Sequence, residues 1–296
     1  MINKMLKLSV ATLLVLAAAQ AAAQDAEVRS EHLRGSVHVL YGAGGNIAVS
    51  AGEDGVFMVD DQYAPMSPKI LAALAKISGQ PLRFVLNTHW HGDHTGGNEN
   101  MGKQGALIVA HENVRKRMNS EQFIKAFGKK VPPSPAAALP VVTFNSAVNF
   151  HLNGDSISAE YLGPAHTDGD SLVYFEQADV LHMGDTFFNG LYPFIDVSSG
   201  GNVDGVLAAV DRGLAMAGSG TRIIPGHGPV TDRRGLKAYR AMLQDIRDRV
   251  AAGVSQGKSL AEIQALKPTA QWDEQWGGGF LKPDVFVQIV FDSLPR

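Results

Sequence analysis

Short, dense apolar runs at 37–41, 46–51 and 55–60 are separated by Gly/Asn/Asp-rich turns at 42–45 and 52–54, the spacing of hairpin strands. Helical apolar spacing follows at 68–77, with Ser67 placed as its N-cap. The continuous runs 82–86 and 106–110 read as buried strands, and 112–129 as a helix. A second series repeats the plan: strands at 141–144, 147–151, 156–162, 171–176 and 180–183, a helix at 203–217, a strand at 222–224, a helix at 233–251, and helical patterns at 260–265 and 283–294. Strands with helices, given twice, predict an α/β domain. Two such halves facing each other would make a four-layer αββα sandwich. No internal repeat is strong enough to demonstrate a duplication. The segment 131–140 holds four of the chain's 14 prolines and reads as a stiff surface insertion.

Composition changes this picture at the N-terminus. Lys4 and Lys7 precede an apolar run at 8–19, and Ala21-Ala22-Ala23 follows. This is the pattern of a secretory signal peptide, 1–23, cleaved before Gln24. The apolar run is too short to span a bilayer comfortably. The remaining residues, 24–296, are expected to form a single domain that is periplasmic or secreted and has no membrane anchor. The chain has no cysteine, which excludes disulfides, N-terminal lipidation at a cysteine, and a cysteine nucleophile. The net charge is −3, and removal of Lys4 and Lys7 takes it to about −5. That balance argues against nucleic acid as partner and leaves a small-molecule substrate.

The candidate chemistry lies directly after the strand run 84–87. In Thr88-His89-Trp90-His91-Gly92-Asp93-His94, three His and one Asp fall within the six residues from His89 to His94. His89 and His91, two apart at a strand end, project to one side. Gly92 lets the backbone turn sharply and brings Asp93 and His94 round. Imidazole nitrogens with a carboxylate suit Zn²⁺, and without a metal such a cluster would repel or stay unsatisfied. Three further residues occur downstream in turns bounded by Gly or Pro: His166 in Ala165-His166-Thr167, Asp185 in Gly184-Asp185-Thr186, and His227 in Pro225-Gly226-His227-Gly228.

In these motifs and their order the chain resembles the metallo-β-lactamase superfamily, over about residues 37–227. The resemblance implies the αββα fold with two Zn²⁺ ions per chain at the strand-end edge. It implies that His89, His91 and His166 bind the first ion, that Asp93, His94 and His227 bind the second, and that Asp185 bridges both. Asp60, at the end of the run 55–60, matches the family's Asp that orients a ligand His by a hydrogen bond; the bland alternative is a turn residue. His111 and His182 match no ligand position and are read as structural.

The implied chemistry is hydrolysis. Two Zn²⁺ ions share a water and lower its pKa to about 7, giving a bridging hydroxide, and a zinc polarises the carbonyl oxygen. Asp93 and Asp185 are the carboxylates placed in catalysis, Asp93 steering the nucleophile and its proton. The leading reading is cleavage of a small ester, lactone, thioester or amide. A periplasmic β-lactamase is the alternative, against which stand Asp185 and Phe188 where the best-known subclass carries Cys and Lys. From other classes come a mononuclear iron dioxygenase and a metal-binding protein without catalysis. Phe187, Phe188, Tyr192 and Phe194 either wall a substrate pocket or pack a loop core. The loop 42–45 reads as a mobile lid, and Trp272 and Trp276 as packing over the site edge or capping the fold. Oligomeric state is not legible.

Overall fold

The computed structural model describes residues 26–294; the segment read as a signal peptide, 1–23, lies outside the described residues. Strand β1 (Arg29–Arg34) pairs with β2 (Val37–Tyr41), and β3 (Ile47–Gly52) and β4 (Gly55–Val59) continue the meander antiparallel. From β4 the pairing turns parallel through β5 (Leu82–Asn87), β6 (Leu107–His111) and β9 (Val142–Phe144), making a seven-stranded sheet. Strands β10 (Ala147–Leu152), β11 (Asp155–Tyr161), β12 (Ser171–Phe175), β13 (Val180–His182) and β14 (Arg222–Ile224) form a five-stranded sheet, antiparallel except for the parallel pair β13–β14.

The apolar runs lack polar alternation because both faces of each sheet are covered. Within β4, Phe57 and Val59 face the second sheet, whereas Val56 and Met58 face helices. The same alternation separates Leu86 from Val85 in β5, Val173 from Leu172 in β12, and Ile224 from Ile223 in β14. One outer face packs on α1 (Ser67–Ile77), through Ile70, Ala73 and Leu74. The other packs on α5 (Val203–Met216), α6 (Arg233–Ser255) and α9 (Pro283–Ser293). Helices, two sheets and helices give the four layers. Between them in the chain lie the short helices α2 (Gly92–Thr95), α3 (Asn98–Lys103), α4 (Glu112–Met118), α7 (Leu260–Ala265) and α8 (Asp273–Trp276). Among the described residues no helix is long and apolar enough to cross a membrane.

Three expectations are corrected. The helix expected over 112–129 is only α4, which stops at Asn119. A two-stranded hairpin follows, β7 (Gln122–Ile124) and β8 (Lys129–Val131), turned by Gly128 in the left-handed region at φ 57°. The segment 131–140 is not simply surface, since Ala138 and Leu139 are buried. Ser67 does not cap α1: the helix begins at Ser67 itself, and the Ser67 hydroxyl accepts from Asn100 Nδ2 at 3.0 Å.

Phe57 sits fully buried between the sheets, its ring centroid 4.9 Å from that of Phe150 and 6.3 Å from those of Phe84 and Phe175. Phe57→Ala should lower unfolding stability by about 3–5 kcal/mol in a urea titration. A loss under about 1 kcal/mol would contradict the two-sheet core.

Candidate metal centre

The strand ends converge on one edge. Asp60 follows β4, Thr88 to His94 follow β5, Asp185 follows β13 and His227 follows β14, all just past the carboxyl ends of parallel strands. His166 lies on the loop between β11 and β12. The antiparallel pairing of β12 with β13 starts that strand at the same edge.

The seven side chains form two groups, His89/His91/His166 and Asp93/His94/Asp185/His227, each with its ligating atoms within 4.8 Å of one another. In the first, His91 Nδ1 and His166 Nε2 lie 2.9 Å apart. In the second, His227 Nε2 lies 3.3 Å from Asp93 Oδ2. Asp185 stands between them: one carboxylate oxygen lies 3.5 Å from His166 Nε2 and 3.4 Å from His227 Nε2, and the other 3.0 Å from His94 Nε2.

Four histidines are turned by what their outer nitrogens touch. His94 Nδ1 donates to Asp60 Oδ2 at 2.8 Å, and His166 Nδ1 to the Phe194 carbonyl at 2.7 Å. His91 Nε2 donates to Asp196 Oδ2 at 3.0 Å. Thr88 Oγ1 donates to Asp60 at 2.8 Å, so it accepts from His89 Nδ1 at 3.1 Å. Each imidazole thus aims its other nitrogen at the centre, the tautomer a metal ligand needs. His89 Nε2 is buried there with no hydrogen-bond partner, an orphan that a metal ion would satisfy. The all-nitrogen and oxygen donor set fits Zn²⁺.

The backbone is shaped to allow this crowding. A Cβ on Gly45 would lie 2.1 Å from the His94 ring, and one on Gly226 2.0 Å from Asp185 Oδ1. Asp60 adopts φ 63°, a left-handed conformation that Asp tolerates better than most residues, and its carboxylate serves both Thr88 and His94. The loop 42–45, expected as a mobile lid, is bonded in place: Gly45 N donates to Asp93 O at 3.1 Å, and Gln62 Nε2 to Gly45 O at 2.7 Å.

Charge divides the two groups. Burial, reinforced by neighbouring His94, holds His89 well below its usual pKa, and burial takes His166 down to about 4. Burial also opposes charge on His94 and His227, but the Asp185 and Asp93 carboxylates outweigh it. His94 is pushed well up, and His227 to about 9. Burial would raise Asp185, yet His94, His227 and His89 hold it well below the carboxylate range.

The aromatic residues after Asp185 divide as well. Phe188 and Phe194 line the cleft over the centre, and Phe188 stacks on His227 with centroids 5.0 Å apart. Phe187 and Tyr192, offered above as pocket residues, are instead in the helix-side core: Phe187 packs on Tyr239, and Tyr192 on Phe286 with its hydroxyl donating to Asp273. Trp276 is buried against Tyr239, while Trp272 Nε1 donates to Asp245, so neither roofs the site. His111 caps α4, its Nδ1 accepting from Asn113 N, and His182 Nδ1 accepts from Gly184 N. Asp196 was missed by sequence reading. It lies in Ile195-Asp196-Val197-Ser198-Ser199, remote from every His in the chain, and the hydroxyls around it were the sole hint.

The sequence model of the metallo-beta-lactamase superfamily matches residues 40–249. The chain belongs to that superfamily. Over 257 residues it is 27% identical to a hydroxyacylglutathione hydrolase from Nitrosococcus oceani, covering 85% of this chain and 88% of the relative. Among solved structures, a metallo-beta-lactamase from Pontibacter korlensis aligns with TM-score 0.60 at 20% identity, over 74% of this chain and all of that one. A sec-alkylsulfatase from a Pseudomonas species aligns with TM-score 0.67 at 16% identity, over 90% of this chain and 50% of that one. These two share the fold. The protein is accordingly a metallo-hydrolase of the metallo-β-lactamase superfamily with two His/Asp metal-binding groups.

Asp196→Ala frees His91 to rotate. It should weaken metal binding at the three-histidine group by about 10–100-fold, measured by chelator competition, with the other group much less affected. Unchanged affinity would remove Asp196 from the assembly of the site.

Proposed function

We propose that the protein is a dinuclear zinc hydrolase acting on a small acyl compound, an ester, lactone, thioester or amide, in the periplasm. The observation that carries the reading is the Asp185 carboxylate set between the two His groups, within 3.5 Å of ring nitrogens from each. When bound, zinc supplies a Lewis acid for the scissile carbonyl and lowers the pKa of water to about 7. In the reaction the acyl carbon–heteroatom bond breaks, the oxygen of water ends on the acyl carbon, and a proton reaches the leaving group.

The chain's own residues frame that step. Asp93 is the partly exposed carboxylate of the second group, its side chain 24% exposed on the cleft floor beside the equally exposed His227. Its carboxylate beside His94 and His227 is placed to hold the proton in transit between water and leaving group. Asp60, Asp196 and the Phe194 carbonyl fix the imidazoles, so little reorganisation is needed during the reaction. Phe188 and Phe194 border the floor with apolar surface, which limits water at the reacting bond. The likeness to a hydroxyacylglutathione hydrolase favours acyl bonds as the target. The N-terminal pattern at 1–23 supports export.

Zinc-loaded mature protein is expected to turn over at least one class in a panel of thioesters, lactones, esters and a chromogenic cephalosporin. Asp185→Ala should lose one metal equivalent and at least about 100-fold in kcat/KM. Silence across the panel, or unchanged zinc stoichiometry in Asp185→Ala, would contradict the reading.

A further inference from the structure

The cleft above Asp93 and Asp185 has a volume of about 570 Å³, the size of a small-molecule site. One wall is the β7–β8 hairpin and the proline segment after it, which contribute Ile124, Phe127, Lys129 and Val131. The hairpin is docked on the loop that orients the first metal group. Its Phe127 ring lies 4.8 Å from that of Phe194, whose carbonyl holds His166, and Lys125 N donates to Ser198 Oγ beside Asp196. The wall is therefore fixed relative to the reacting centre.

Its chemistry is uneven. Phe127 is 49% exposed, and Phe280, across the cleft, is 61% exposed, so aromatic faces stand open to whatever enters. Two cations line the same space. Arg117 is already engaged: its Nε and Nη2 donate to both Asp168 carboxylate oxygens, and its Nη1 donates to Gln122 Oε1. Lys129 has no ion-pair partner among the described residues, and Glu99, also on the rim, is bonded to Lys103. The cleft thus presents open apolar surface and, on the hairpin at Lys129, a cation with no ion-pair partner among the described residues.

We infer that the hairpin selects an anionic, apolar-bodied acyl substrate, and that Lys129 takes its free carboxylate while the reacting carbonyl lies over Asp185. This rests on the cleft being the substrate site of a hydrolase. Lys129 is a specificity-determining residue and takes no part in bond breaking. An ammonium facing a carboxylate in a partly desolvated cleft is worth about tenfold in affinity.

The test uses ligands with no cleavable bond, so it is independent of turnover. Phenylbutyrate and its neutral analogue phenylbutanol are titrated by calorimetry into zinc-loaded wild type, Lys129→Ala and Lys129→Arg. Wild type should hold the acid about tenfold tighter than the alcohol. Lys129→Ala should lose that difference by weakening the acid alone, and Lys129→Arg should keep it. Undiminished acid binding in Lys129→Ala would put the anion on the metal centre and overturn the inference. Equal weakening of both ligands would make Lys129 a packing residue and overturn it too, as would binding of neither ligand to wild type. A silent hydrolysis panel, by contrast, would strike the proposed reaction and leave these affinities where they are.

Discussion

Five imidazoles and two carboxylates share one largely buried edge of the sandwich, and Asp185 lies within 3.8 Å of a ring nitrogen of four of the five. Burying so many polar groups is costly unless each is paired. Here the outer atoms are paired with protein, and the inner atoms are left for something else. The His89 nitrogen with no partner is the clearest mark of that division. Other features follow from the need to crowd these groups: glycine at positions 45 and 226, the left-handed backbone at Asp60, and the convergence of parallel strand ends from both sheets.

The two metal groups are built differently around that shared anion. In the first, His89 and His166 are kept neutral by burial, and one carboxylate, Asp196, stands behind His91. His94 and His227 stand against Asp93 and Asp185 and carry protons when no metal is present. His89 and His166 therefore accept a cation without losing protons, whereas His94 and His227 must release them. This asymmetry comes from how many carboxylates each ring faces: His94 meets Asp60, Asp93 and Asp185, and His227 meets Asp93 and Asp185, whereas His89 and His166 meet Asp185 alone.

Much of this was legible in the chain. The strand runs of both sheets and the long helices over 203–217 and 233–251 are dense apolar patterns, where burial and periodicity agree. The seven ligand candidates stood out because His and Asp flanked by Gly at strand ends have few other uses. What stayed illegible is local or non-local in a specific way. The β7–β8 hairpin has three-residue strands, too short for a period, and its lysines mimic a solvated helix face. Strand β1, Arg-Ser-Glu-His-Leu-Arg, is an edge strand whose charges hide it. Asp196 is 105 residues from His91 in sequence and meets it only through the fold. Phe187 and Phe188 are neighbours with opposite fates, because consecutive residues on an extended segment point to opposite sides.

That leaves the claim that one carboxylate serves two unlike metal groups. It is tested most directly by titrating Zn²⁺ into the metal-free protein at pH 7 by calorimetry, in buffers of different ionisation enthalpy. The account predicts two equivalents per chain, one bound with little proton release and the other with the release of about two protons, from His94 and His227. A single equivalent, or two equivalents that release protons alike, would contradict it.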